Sequence, residues 1–211
     1  MLSLSIGPAC WVTLAGGVFS SIGALLLLEV LAASLTPHWF FLGLTFMFLG
    51  LLMDALDGVV ARRFHLESDL GKVLDSLCDV VTYLVAPALA LRVLGLQGLA
   101  GGAAMTIMVV AGILRLANFA VIGNVKGTAG PAYLGMPCFY SHFVLAGLVL
   151  LHGWLAPGAF RLLAAAAISI MSVLFISRIR FPKIVRLRVI FSLAGSFLAS
   201  SLLLFVVERS P

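Results

Sequence analysis

Four aspartates, Asp54, Asp57, Asp75 and Asp79, fall within segments apolar enough to lie in a membrane. A charged side chain at the bilayer centre costs about 2.5–3.5 kcal/mol on insertion scales, so four carboxylates in two consecutive spans need a strong compensating interaction. Structural ion pairing is the plain alternative. Arg62 and Arg63 can serve two carboxylates at most, and Glu67 and Asp69 compete for them nearby. Helical geometry favours chemistry instead. Asp54, Asp57, Gly58 and Ala61 stand at i, i+3, i+4 and i+7 and share one face, while Asp75 and Asp79 stand at i and i+4 with Gly71 one turn earlier. Two helices joined by a short connection run antiparallel. At 1.5 Å per residue, Asp54 lies about 12 Å beyond Arg62 and Asp79 about 10 Å beyond Lys72, so the four carboxylates can meet at one depth. All are hard oxygen ligands with no clustered His or Cys, which suits Mg²⁺, Mn²⁺ or Ca²⁺ rather than zinc. A divalent ion would remove their mutual repulsion and bring Lewis acidity to a phosphate. Gly58 and Ala61 keep the same face open to a bulky ligand.

The elements that must position these groups follow from composition. The chain has 211 residues, of which 63% are apolar and 10% charged, with a mean hydropathy of +1.21. Soluble domains carry about 25% charged residues. Disordered chains are charged and apolar-poor, and the scattered Cys10, Cys78 and Cys138 do not make a disulfide scaffold. An integral membrane protein remains. Charge-free intervals, divided at Pro, Gly and polar clusters, predict seven helices over 10–34, 39–62, 72–92, 98–122, 137–155, 159–177 and 187–207. Continuous apolar character favours helices over a β-barrel. The fold class is therefore all-α, a polytopic membrane helix bundle forming a single domain over 1–211. The first residues carry no basic stretch, so they are not read as a cleaved signal peptide.

Basic residues set the orientation. Arg62, Arg63 and Lys72 flank the second connection, Lys126 lies in the fourth, and Arg178, Arg180, Lys183, Arg186 and Arg188 crowd the sixth. The opposite connections hold only Arg92 and Arg161. Alternating helices put the three basic connections, and the chain's start, on the cytoplasmic side, with the C-terminus outside. Trp11, Trp39 and Trp154 fall near predicted helix ends, as interfacial tryptophans do. The net charge of +5 is largely this topological bias, and no nucleic-acid partner is expected. His38, His65, His142 and His152 are dispersed without metal-ligand spacing.

The stretch DALDGVVARRFHLESDLGKVLDSLCD resembles the signature D-x2-D-G-x2-A-R-x8-G-x3-D-x3-D of the CDP-alcohol phosphatidyltransferases at all its fixed positions: Asp54, Asp57, Gly58, Ala61, Arg62, Gly71, Asp75 and Asp79. The resemblance implies a six-helix catalytic core, here with an additional helix, in a homodimer. It implies transfer of a substituted phosphate from a CDP-linked donor to an alcohol, with release of CMP. It makes Asp54, Asp57, Asp75 and Asp79 the ligands of a divalent metal, Mg²⁺ or Mn²⁺, Asp79 the catalytic base, and Asp57, Gly58, Ala61, Arg62 and Gly71 nucleotide-binding positions. A small ion-coupled transporter is the rival class; it would spread its polar residues across the membrane rather than gather them on one side.

Four further stretches are similar to the phosphatidylserine synthase branch: DSLCDVVTYLVAPA at 75–88, RLANF at 115–119, YLGMP at 133–137 and SRIRFPK at 177–183. They imply CDP-diacylglycerol and L-serine as substrates and membrane lipids as the surroundings, in the cell inner membrane if the source is bacterial, with the site facing the cytoplasm. Asn118 and Ala120 stand where that branch usually has Arg and Asn, Cys138-Phe139-Tyr140-Ser141 replace small residues, and Gly16 replaces an Asn or Ser. Glycerol phosphate, inositol, inositol phosphate and choline therefore stay open as acceptors. Serine's carboxylate wants a cation. Arg115, inside a predicted span, is the leading acceptor-binding residue, and Arg178 and Arg180 are alternatives. Snorkelling or a structural pair with an aspartate is the other reading of Arg115. Ordinary topology and lipid head-group contact is the other reading of the 178–188 run.

Overall fold

The computed structural model describes residues 7–66, 68–123, 125–127, 130–182 and 187–209. Its helices are α1 (Pro8–Leu31), α2 (Trp39–Arg63), α3 (Asp69–Asp79), α4 (Ala86–Val93), α5 (Gly98–Ile122), α6 (Tyr140–His152), α7 (Pro157–Ile176) and α8 (Leu187–Arg209), and a π-helical stretch, Val80–Val85, joins α3 to α4. Among the described residues, six helical segments are long and apolar enough to cross a membrane, counting Asp69–Val93 as one, and α6 is a shorter apolar helix. The polytopic bundle expected from the charge gaps is thus present. The expected third helix contains a π-helical interruption, and the fifth, at 13 residues, is shorter than its apolar run suggested.

Pro8 begins α1 and Pro157 begins α7, where the missing N–H of proline costs nothing. Small residues then let α1 and α2 meet backbone to backbone. A Cβ on Gly23 would stand 2.8 Å from the Gly43 carbonyl oxygen, and one on Gly16 would stand 3.2 Å from Met53 Cβ. Close approach at small residues is the usual means of packing helices where lipid removes the hydrophobic drive. Gly16, flagged above as unusual, is therefore part of the seam that brings α1 against the Asp54 turn. The opposite side of α2 packs on α8, with Phe48 stacked on Phe197 and Thr45 Oγ1 2.9 Å from Ser201 Oγ. The buried centre is filled by Leu27, Met47, Phe48, Leu51, Leu84, Met108, Leu145, Phe160, Ile168 and Phe175.

Three short strands, not foreseen in the sequence, cover one end of the bundle: β1 (Val125–Gly127), β2 (Gly130–Leu134) and β3 (Arg180–Pro182), antiparallel in the order β1-β2-β3. Tyr133 pairs with Phe181 and Leu134 with Arg180. Gly135 follows with φ +75°, and the Phe175 carbonyl oxygen occupies the space that a Cβ would need. Its N–H donates to Ile179 O at 2.9 Å, and Met136 N–H to Leu174 O at 3.0 Å. The sheet therefore ties the fourth and sixth connections together at the ends of α5 and α7. Arg62, at the end of α2, lies within electrostatic reach of Tyr133 in this sheet. The three basic connections consequently gather at one end of the molecule. Lys183, Arg186 and Glu67 lie outside the described residues.

Candidate active site

Ser68 caps α3, its Oγ accepting the Gly71 N–H at 3.0 Å, and Asp69 sits in the first turn, where a negative charge suits the helix dipole. Lys72 Nζ bonds Asp69 Oδ1 at 3.0 Å. This local pairing leaves the signature aspartates one and two turns further along. A Cβ on Gly71 would lie 3.5 Å from Cys10 Sγ of α1, so this glycine marks the α1–α3 contact.

Asp54, Asp57 and Asp75 each present a carboxylate oxygen so that all three oxygens lie within 4.8 Å of one another. Asp57 is buried, while Asp54 and Asp75 are partly accessible. Asp79 stands outside that trio, one turn beyond Asp75, within electrostatic reach of Asp54, Asp75 and Arg115. Asp57 Oδ2 and Asp79 Oδ1 are buried with no hydrogen-bond partner among the described residues. Three hard carboxylates at one point, with orphaned oxygens beside them and no basic group within ion-pair distance among the described residues, fit a divalent cation. Three of the four signature aspartates thus share one point, and Asp79 adjoins them through Asp54.

Of the expected nucleotide-binding positions, Gly58 lies beneath Arg62, whose Nη1 is 3.2 Å from where a glycine Cβ would be. Arg62 itself is exposed and Ala61 half-buried. Arg62 also lies within electrostatic reach of Asp57 on the same helix.

Arg115 is 7% exposed, so it does not snorkel. Its guanidinium carbon lies 5.0 Å from the Phe119 ring centre and 5.7 Å from that of Tyr133, within cation–π range of both. Its Nε is buried without a hydrogen-bond acceptor among the described residues. Burial pushes the Cys138 thiol up to about 12, against the pull of Arg115. Burial likewise raises the Tyr133 hydroxyl, again opposed by Arg115. Both groups stay neutral near pH 7, so neither cancels the arginine's charge. The pieces YLGMP and SRIRFP, separate in the chain, are joined by the β2–β3 pairing, and RLANF meets them where Arg115 and Phe119 contact Tyr133. Arg178 and Arg180 are exposed at the rim of that sheet rather than beside the aspartates.

Two groups escaped the sequence reading. Tyr83 donates its hydroxyl to Asp54 Oδ2 at 2.5 Å, and the Thr13 hydroxyl of α1 interacts with the Asp57 carboxylate. The i+4 spacing of Tyr83 from Asp79 was the available signal. Thr13 left none, because it comes from a distant segment. His142 is fully buried, packed edge-on to Phe48 and Tyr83.

With the geometry established, comparison with known proteins decides the family. The sequence pattern of the CDP-alcohol phosphatidyltransferases matches residues 9–177. The chain belongs to this family. It is 32% identical over 154 residues to a CDP-diacylglycerol–serine O-phosphatidyltransferase of Bacillus subtilis, covering 71% of this chain and 79% of that one. It is 36% identical to the enzyme of the same description from Methanocaldococcus jannaschii, over 65% of this chain and 62% of that protein. A phosphatidylcholine synthase of Brucella melitensis is 30% identical, over 76% of this chain and 56% of the relative. The chain thus spans less than two thirds of the latter two relatives. Helix α8 lies beyond the family match. Family members are multi-pass membrane enzymes that use a divalent metal, in keeping with the apolar helices and the carboxylate trio.

Proposed function

We propose that this protein transfers the phosphatidyl group of CDP-diacylglycerol to the hydroxyl of L-serine, giving phosphatidylserine and CMP. The family supports the donor chemistry, and the serine enzymes among the relatives support the acceptor. The observation that carries the choice of acceptor is Arg115: a buried, ring-flanked guanidinium with an unpaired Nε, within electrostatic reach of Asp79. It offers serine's carboxylate a cation at the place where serine's hydroxyl needs a base. The same positive charge disfavours choline, a quaternary cation.

Asp54, Asp57 and Asp75 are the residues that would hold the metal, with Asp79 adjoining them. Bound there, a divalent ion (Mg²⁺ or Mn²⁺) supplies charge neutralisation to a pyrophosphate. The chain's own groups do the rest. Arg62, over Gly58, meets the phosphates of the nucleotide on the open face of α2 that also carries Asp57 and Ala61, with Gly71 of α3 contributing to nucleotide binding from its own helix. Asp79 accepts the hydroxyl proton as the serine oxygen attacks the phosphatidyl phosphorus. The new P–O bond forms as the bond to the bridging oxygen breaks, and that oxygen leaves with CMP. Buried beside Arg115, the orphaned Oδ1 of Asp79 is free of competing donors among the described residues. Arg178 and Arg180, exposed at the sheet's rim, offer further cations to the carboxylate of the zwitterionic acceptor as it enters. The gathering of basic connections at this end supports a cytoplasmic site, and the family supports a homodimer.

The test is to supply purified protein with CDP-diacylglycerol, Mn²⁺ and each candidate alcohol in turn, and to identify the lipid formed. Phosphatidylserine is expected. A different phosphatidyl alcohol as the main product would overturn the acceptor while leaving the transfer chemistry in place.

A further inference from the structure

Three successive residues of the π-helical stretch point to three different helices. Thr82 Oγ1 donates to Ser20 Oγ of α1 at 2.9 Å. Tyr83 donates to Asp54 of α2. Leu84 fills the space beside Gly112 of α5, where no Cβ would fit. A regular α-helix turns by about 100° per residue and holds i→i−4 bonds throughout; a π segment lets the chain bulge, and such bulges recur at functional sites. Here the bulge follows directly after Asp79 and carries the tyrosine whose hydroxyl meets Asp54.

The Tyr83 ring cannot easily turn away. It is 3% exposed and meets the His142 ring edge-on at a centroid distance of 5.3 Å, and His142 meets Phe48 in the same manner. The partner's chemistry matters too. An arginine or lysine bonded to Asp54 would cancel its charge and compete with a cation. A tyrosine hydroxyl orients the carboxylate and leaves its negative charge intact. Outer groups that orient metal ligands typically change affinity by about 10–100-fold when removed.

We propose that Tyr83 is a positioning residue of the metal site: its hydroxyl fixes the plane of the Asp54 carboxylate so that Asp54, Asp57 and Asp75 converge, and the π-helical stretch aims it there. This rests on the metal reading of the trio given above. Its removal weakens metal binding without altering how substrates are held.

The experiment measures Mn²⁺ binding to the purified protein in detergent, by the electron paramagnetic resonance of free Mn²⁺, for the wild type and for Tyr83→Phe. The substitution keeps the ring and its contacts with His142. The dissociation constant for Mn²⁺ is expected to rise about tenfold or more, and the Mn²⁺-induced increase in melting temperature to shrink at a fixed Mn²⁺ concentration. At saturating Mn²⁺ the KM values for CDP-diacylglycerol and the alcohol should stay within about twofold of wild type, the range left to a group that touches only a ligand. Unchanged Mn²⁺ affinity in Tyr83→Phe, with or without a loss of turnover, would overturn the proposal. Absence of Mn²⁺ binding by the wild type would overturn the metal reading itself, and this inference with it.

Discussion

The carboxylate cluster and the arginine pocket lie within electrostatic reach of each other, yet they are built in opposite ways. The cluster comes from 26 consecutive residues spanning α2, α3 and the connection between them, and helical periodicity aligns its members within each helix. The pocket takes Arg115 and Phe119 from α5, Tyr133 from β2 and Cys138 from the turn before α6. It exists because a small sheet pins two distant connections together. One site is local in the chain; the other depends on loops, and loops are where specificity can change without disturbing the chemistry they adjoin.

That contrast can be broken most severely at the cluster. Asp79→Asn keeps size and shape but removes the carboxylate proposed as the base. Transfer should fall on the order of 10³-fold while the protein elutes as a folded species; near-normal turnover would remove Asp79 from the base's role. At the pocket, Arg115→Ala should raise the serine KM about ten- to a hundredfold, the worth of a charge-assisted hydrogen bond, with the CDP-diacylglycerol KM little changed. Equal rises in both would mean that the pocket serves the donor or the general fold. Gly135→Ala should have a smaller effect. It forces a side chain into positive φ against the Phe175 carbonyl, costing about 1–3 kcal/mol. Measured by thermal unfolding and serine KM, it should loosen the sheet and weaken serine binding while leaving Mn²⁺ affinity intact. Loss of Mn²⁺ affinity in that variant would contradict the separation of the two regions.

The same contrast explains what the sequence disclosed. Helix spans were legible because apolar runs and charge gaps are long, and α5 at Gly98–Ile122 coincides with its expected 98–122. The aspartates were legible because i, i+3 and i+4 spacing translates directly into a shared face. The strands were not, since runs of three to five residues rich in Gly and Pro carry no periodicity. Arg115 stood out as a charge in an apolar span, but its aromatic flanks come from chain pairing that spacing cannot reveal. Tyr83 was hidden differently. It sat at helical spacing from Asp79 among β-branched residues, and its bond to Asp54 arises where regular α-helix gives way to the π-helical stretch. The Asp75–Asp79 alignment was legible, whereas the meeting of the α2 and α3 aspartates depends on α1, against which both helices pack.

The central claim is that a metal-binding carboxylate cluster and a serine-binding arginine act together on CDP-diacylglycerol. Release of CMP from CDP-diacylglycerol by the purified protein, followed with and without Mn²⁺ and with each alcohol supplied separately, tests it most directly. CMP release should require Mn²⁺ or Mg²⁺ and be stimulated chiefly by L-serine, with phosphatidylserine formed in equal amount. CMP release that is indifferent to metal, or no release with any alcohol, would contradict it.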